Sequence, residues 1–318
     1  MNILGIVAHT LGYGDSSAVL SVDGKIVGII EEERFSRKRY DDTFPQRAVS
    51  QLLKMGKISG SDIDVVSLHL HPFRGIVNRA YWAIRHPWHT FANYGKYIQY
   101  YRKYGNLHQE LCQVLGSNHF KIEHYCHHEC HAAAAFYSSP FEESAFLTLD
   151  GSGEGVTGAM GVVTKDQGVK ILHKNAYPHS LGLAYSAICD HLGFSPPSGP
   201  GKIMGLAPYG DSERFLPLLR KMIQCKDAHI KLSLDYFVFH ENLATPLTNK
   251  PWVSEKLALE VGIKKRDKTT PLEQIHMDLA AALQARTNEV GIALAKYAAK
   301  ITGKKNLCLG GGVTLNSV

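Results

Sequence analysis

The first residues alternate apolar and polar positions in short runs separated by small residues. Asn2 to Val7 (NILGIV) reads as a buried strand that begins at once, and a glycine-containing turn leads to AVLSV and KIVGII, two runs separated by Asp23 and Gly24. Asp-Gly between alternating apolar runs is a strong hairpin signal. The opening therefore predicts strand, turn and hairpin. The same plan begins again at Ser144: SAFLTL is an apolar strand, DGSGEG a small-residue turn carrying Asp150, and GAMGVV and VKIL a further pair of strands. Helical spacing predicts helices over 46–57 and 272–302. In the second, Ile275, Leu279, Leu283, Ile292, Leu294 and Ala298 recur at near-helical intervals and Gly303 supplies the stop. NLCLGGGVTLN then resumes a strand and ends in a third glycine turn.

Two strand–turn–hairpin units in one chain outline a duplicated α/β fold, and the duplicated actin-like, ribonuclease H-like architecture of sugar kinases and heat-shock ATPases fits that outline. The expected lobes are 1–143 and 144–318. The last strand and turn have no following helix to pack on, so the second lobe is expected to be incomplete and the chain a truncated piece of a longer enzyme.

Composition narrows the class. The chain has 318 residues, 44% of them apolar and 20% charged, as in ordinary globular proteins. It lacks an apolar run long enough for a membrane span, and its start has none of the marks of a secretion signal. Six scattered cysteines argue against a disulfide framework and for the cytoplasm. The net charge of +6 suits anionic ligands without requiring nucleic acid.

Candidate chemistry concentrates in EHYCHHECHAAAAFYSSPF, residues 123–141. His127 and His131 are four apart, so on a helix they share a face and can ligate one metal. His128 lies about 100° round the helix and is the lesser partner. The stretch is not the HExxH of zinc hydrolases, because only one residue separates Glu129 from His131. Cys126 and Cys130 admit a structural zinc site but read better as small buried residues. A carboxylate from a separate strand end would strengthen the metal reading, and Asp150 is the candidate. The glycines after it leave backbone N–H groups free to cradle an anion. The competing view is a solvated helix start without function.

GDSSAVLSVDGKIVGIIEEERFSRKR, HHECHAAAAFYSSPF, LDGSGEG, GLAYSAICDHLGF, GKIMGLAPYGD and LCLGGGVTLN occur in this order. With these blocks, across nearly its whole length, the chain resembles the N-terminal, actin-like domain of the O-carbamoyltransferases of nodulation-factor and antibiotic biosynthesis, which is related to the tRNA threonylcarbamoyltransferases. The resemblance implies a second, YrdC-like domain, absent here, that makes carbamoyl-adenylate from the co-substrates carbamoyl phosphate and ATP. It implies transfer of the carbamoyl group to a hydroxyl of a small, glycan-like acceptor. It also implies a divalent metal, Fe(II) in one branch with zinc or manganese as alternatives, held by His127, His131 and Asp150 and by a further aspartate beyond the end of this chain. Relatives carry a histidine just before the aspartate of DSSA, placed as a base. Tyr13 and Gly14 stand there instead, so His9, Asp15 or another route must serve. Ser16, Ser17, Gly151, Gly153, Gly182, Lys202, Gly312 and Asn316 are expected to line the carbamoyl-adenylate site, and Arg39, with Arg37 and Lys38, to meet the acceptor. A homodimer is compatible with the sequence. The alternative function is an actin-like phosphotransferase acting on the terminal phosphate of ATP, which would need no histidine pair. An inactive fragment is the other alternative.

One stretch has no counterpart in that resemblance. Between Asp64 and Glu110 there is no acidic residue, while six arginines and lysines (Arg74, Arg79, Arg85, Lys96, Arg102, Lys103) interleave with aromatics that include Tyr81, Trp82, Trp88 and Phe91. The expectation is a helical insert around 72–122 with its aromatics packed inward. An acceptor platform or a membrane-facing surface are the functional alternatives.

Overall fold

The computed structural model describes residues 1–9, 15–69, 71, 73–74, 76–195, 198–242 and 251–318. Within these, the side chains at 78, 79, 89, 90, 92–94, 96, 97, 100 and 242 are not described. Tyr13 and Gly14 lie outside the described residues. The fold is α/β with mixed sheets. Its contacts divide it into two units, Met1–Arg74 with Thr90–Cys126, and Gly75–His89 with His127–Val318. The histidine-bearing segment, placed with the first lobe from the sequence, groups with the second unit.

The first unit is built on β1 (Asn2–Val7), β2 (Ser17–Val22), β3 (Lys25–Glu31), β4 (Val65–Leu68) and β5 (Lys121–His124) in the order β3-β2-β1-β4-β5. β1, β2 and β3 form an antiparallel meander, and β4 and β5 add in parallel on the free side of β1. Asp23 and Gly24 both take positive φ (49° and 78°), as the predicted two-residue hairpin turn requires. A short helix α1 (Glu33–Ser36) leads to α2 (Gln46–Gly56), which agrees with the predicted 46–57. Two further helices of the chain, α3 (Ile76–Arg85) and α4 (Pro87–Gly105), precede α5 (Leu107–Leu115). Leu107, Leu111 and Leu115 of α5 are buried with Leu4, Leu20, Leu52 and Val66. The last part of the expected insert is therefore core of the first unit.

The second unit contains α6 (His127–Tyr137), β6 (Glu143–Gly153), β7 (Val156–Thr164) and β8 (Gly168–Ala176). It continues through α7 (Leu181–His191), α8 (Gly199–Leu206), α9 (Leu216–Met222), the hairpin β9 (Ile223–Lys226) and β10 (His229–Leu232), α10 (Phe239–Asn242), α11 (Glu255–Val261), α12 (Gln274–Thr302) and β11 (Leu307–Gly310). Its main sheet runs β11-β6-β7-β8: β6, β7 and β8 form an antiparallel meander and β11 adds in parallel beside β6. Each unit thus has a three-strand meander whose first strand takes a parallel neighbour.

Helix α6 buries His128, Ala132 and Phe136, spaced four apart, and the last two pack with Phe146, Ala159, Val163 and Cys308. Leu147, Leu149 and Met160 pack instead with Leu181, Ile188, Leu279 and Leu283 of α7 and α12. Helix α12 closes at Gly303 in the left-handed region (φ 65°), as predicted. Ile292 departs from its expected inward position and is exposed, because it lies about 200° round the helix from the buried Val290.

The motif EEERF has a structural duty that spacing alone does not show. Pro45 at the start of α2 offers no side-chain cap. Glu32, buried after β3, accepts the free amides of Arg47 (3.1 Å) and Ala48 (2.9 Å). The carboxylate does from a distance what an N-cap residue does locally. Glu32→Ala should therefore lower stability by about 1–3 kcal/mol, read as a fall in the urea midpoint at unchanged slope. An unchanged midpoint would mean that water caps α2 equally well.

Candidate metal centre

The buried ridge 128–132–136 sets α6 on its sheet, and the adjacent ridge, His127 and His131, then projects toward the end of β6. That strand does not stop at Asp150 as its sequence suggests. It runs to Gly153, with its pairing to β7 broken between Leu149 and Gly153, and the Glu154–Gly155 turn returns the chain. The break turns Asp150 toward the helix. His127 Nε2 and His131 Nε2 each lie 2.9 Å from Asp150 Oδ2 and 3.0 Å from one another. Among the described residues, these three form the one group of histidine, cysteine and acidic side chains close enough to hold a metal ion.

Glycines make this approach possible. A Cβ on Gly153 would stand 2.2 Å from the His127 ring. On Gly182 it would lie 2.8 Å from the Asp150 carbonyl oxygen, and on Gly312 3.1 Å from Asp150 Oδ1. Gly311, at φ 92°, lies against the Leu149 carbonyl. Gly151 N–H donates to Asp150 Oδ1 (2.7 Å), which leaves Oδ2 for the imidazoles. Ser180 caps α7 by accepting from Leu183 N–H and donates to the Asp150 carbonyl (2.9 Å). Of the residues expected to line a nucleotide, Gly151, Gly153, Gly182 and Gly312 thus surround Asp150 and His127. Asn316 makes a reciprocal amide pair with the buried Gln284 of α12 (2.9 Å each way). Lys202 is exposed on α8.

Burial would raise the Asp150 carboxyl, but the hydrogen bonds and charges of His127 and His131 outweigh it and hold the group well below the usual carboxylate range. His128 is a different case. Its Nδ1 meets Thr148 Oγ1 (2.9 Å), its Nε2 meets the Val156 carbonyl (3.1 Å), and burial pushes it down to about 4. It is a neutral, satisfied core histidine. Cys126 and Cys130 form no disulfide and, contrary to expectation, are half-exposed.

Two imidazoles and one carboxylate form a donor set suited to a divalent ion of intermediate softness. The three donor atoms stand 2.9, 2.9 and 3.0 Å from one another, close enough to share one ion.

The remaining candidates belong to the first unit. His9 is buried at φ 57°, and its Nε2 lies 2.9 Å from Glu110 Oε2. Burial and the neighbouring Glu33, which is hydrogen-bonded to it, push the Asp15 carboxyl up to about 6. Ser16 is buried, Ser17 opens β2, and Arg39 is exposed with its guanidinium over the Tyr40 ring. Glu33, Glu110 and Ser180 were missed from the sequence. EEERF contained Glu33, but nothing in its spacing pairs it with Asp15.

The chain belongs to the carbamoyltransferase family: the family model for the carbamoyltransferase N-terminus matches residues 2–318. An uncharacterized protein of Synechocystis is 34% identical over the whole of this chain and 51% of its own length. The nodulation protein NolNO of Sinorhizobium fredii is 28% identical over 95% of this chain and 41% of its own. The tRNA N6-adenosine threonylcarbamoyltransferase of Bordetella avium is 32% identical over 66% of this chain and 53% of its own. The chain spans about half the length of these curated relatives.

Two outcomes test the geometry. Gly153→Ala should drive the His127 ring out of the cluster and weaken Mn(II) or Zn(II) binding at least tenfold by calorimetry, and unchanged affinity would remove His127 from the site. Asp15 tests the first unit. Its folded pKa lies above the ordinary 3.8, so the fold favours its neutral form, and the stability gained that way is lost as pH rises from about 4 through about 6. Asp15→Asn should consequently stabilise the protein at pH 7 by roughly 1 kcal/mol, a figure discounted for solvent screening, and flatten urea midpoints between pH 4 and 6.

Proposed function

We propose that the chain is the acceptor-modifying part of an O-carbamoyltransferase, which moves a carbamoyl group from carbamoyl-adenylate to a hydroxyl of a small, glycan-like acceptor. The observation that carries this reading is the convergence of His127, His131 and Asp150, in a chain of the carbamoyltransferase family. The repeated meander-plus-parallel-strand order of the two sheets supports a duplicated actin-like architecture. Carbamoyl-adenylate itself would be made from carbamoyl phosphate and ATP by a YrdC-like part of a longer protein.

The two imidazoles and Asp150 would hold a divalent ion, which when bound supplies Lewis acidity toward carbamoyl or phosphate oxygens. Asp150 remains ionised at every physiological pH, so it contributes a full negative charge to that cluster. The glycine-rich ends of β6 and β11 bring backbone close to it and suit an anionic adenylate. The acceptor hydroxyl needs a base. Asp15, with its carboxyl near 6, is largely ionised at neutral pH yet basic enough to take a proton. His9 has its Nε2 committed to Glu110 and is the weaker candidate. A phosphotransferase acting on ATP has no use for two imidazoles on one carboxylate.

The test is to incubate the full-length protein with carbamoyl phosphate, ATP and candidate glycosides and look for carbamoylated product by mass spectrometry. His131→Ala should reduce transfer by at least about 10²-fold while carbamoyl-adenylate still forms. Asp15→Asn should reduce it by about 10²–10⁴-fold, and His9→Ala much less. Unchanged transfer in His131→Ala would remove the cluster from the reaction.

A further inference from the structure

The hairpin between β6 and β7 turns through Glu154 and Gly155, both at positive φ (56° and 84°), with Gly153 paired to Val156 across it. A two-residue turn with both residues left-handed favours Asn, Asp or Gly at its first position. Glutamate, longer than the residues such a turn prefers, stands there in a backbone conformation that costs it free energy. Strain of that kind persists where the side chain is needed.

The length of Glu154 lets it reach the start of α6. Its Oε2 accepts the backbone N–H of His127 (3.2 Å). His127 is the first residue of α6, where amides have no partner within the helix, and Cys126 before it is not among the residues that cap helices well. The peptide dipoles favour a carboxylate at that end. The same turn also meets the His127 side chain, since a Cβ on Gly153 would stand 2.2 Å from the ring. One turn therefore holds His127 both by its amide and by its imidazole.

The two imidazoles of the cluster differ in how much they need this. His131 lies one turn inside α6, and Gly310 of β11 packs against its carbonyl and Cβ. His127 stands at the helix end, where helices fray. Its Nε2 is nevertheless placed 2.9 Å from Asp150 Oδ2 and 3.0 Å from His131 Nε2. Glu154 itself is not one of the three donors.

We propose that Glu154 is a positioning residue, which fixes the first turn of α6 and so keeps the His127 imidazole at Asp150, where it can meet a divalent ion. The proposal rests on the metal reading given above, and its first test needs no metal.

The experiment compares Glu154→Gly with Glu154→Gln. Glycine removes the acceptor but suits the left-handed turn, so the urea midpoint is expected to stay near that of the wild type. Glutamine keeps an acceptor oxygen at the same reach. In the metal-free protein labelled with isotopic histidine, the ring-nitrogen resonances of His127 are identified by their loss in His127→Gln. They should move toward those of a solvent-exposed imidazole in Glu154→Gly and stay in place in Glu154→Gln. Mn(II) affinity by calorimetry should fall about 10–100-fold in Glu154→Gly and be retained in Glu154→Gln. Unmoved resonances with unchanged affinity in Glu154→Gly would overturn the proposal. So would a loss of affinity that comes with a collapsed urea midpoint, or one that glutamine fails to restore, because Glu154 would then serve the hairpin or act by its charge. A wild type that binds no Mn(II) would sink the metal reading instead, and the ring resonances would still decide whether Glu154 holds His127.

Discussion

Two imidazole nitrogens 3.0 Å apart that face one carboxylate oxygen repel each other unless a proton or a cation lies among them. The second unit is arranged around that constraint. The α6 ridge of His128, Ala132 and Phe136 is buried, and this fixes the rotation of the helix and hence the direction of His127 and His131. The broken register of β6 aims Asp150, the Ser180 cap of α7 grips its carbonyl, and Gly153, Gly182 and Gly312 let three separate segments approach where a Cβ would collide. Packing from these segments holds three partly exposed donors within hydrogen-bond distance of one another, which is the preorganisation a reactive site requires.

The first unit applies the opposite electrostatic logic. In the second, two imidazoles lower a carboxyl. In the first, burial and a neighbouring carboxyl raise Asp15, while Glu32 is consumed in capping α2 and Glu110 is committed to His9. The adjacent Glu32 and Glu33 therefore serve differently, one as the cap of α2 and the other as the neighbour that raises Asp15, a division set by surroundings and not by residue type.

That division explains how far the sequence could be read. The paired histidines and Asp150 were legible because helical spacing and a glycine-rich strand end are local signals, and the Asp23–Gly24 turn and the Gly303 stop were legible for the same reason. The roles of Glu32, Glu33 and Glu110 were not, since each depends on a partner brought in from a distant segment. Asn316 was expected to line the carbamoyl-adenylate site, and its pairing with Gln284 on α12 was not legible. Ile292 and Trp88, both expected to pack inward and both exposed, show the limit of counting apolar residues: a period gives the face of a helix, but which faces are covered is decided by what packs there. Family membership added what periodicity could not, the family in whose N-terminal part this histidine pair stands.

The central claim is that the His127–His131–Asp150 cluster is a cation site. Anomalous diffraction from crystals of the protein soaked in Mn(II) tests it most directly. The account predicts one strong peak within bonding distance of His127 Nε2, His131 Nε2 and Asp150 Oδ2. Crystals in which manganese binds elsewhere, or not at all, while the two imidazoles remain hydrogen-bonded to Asp150, would contradict it.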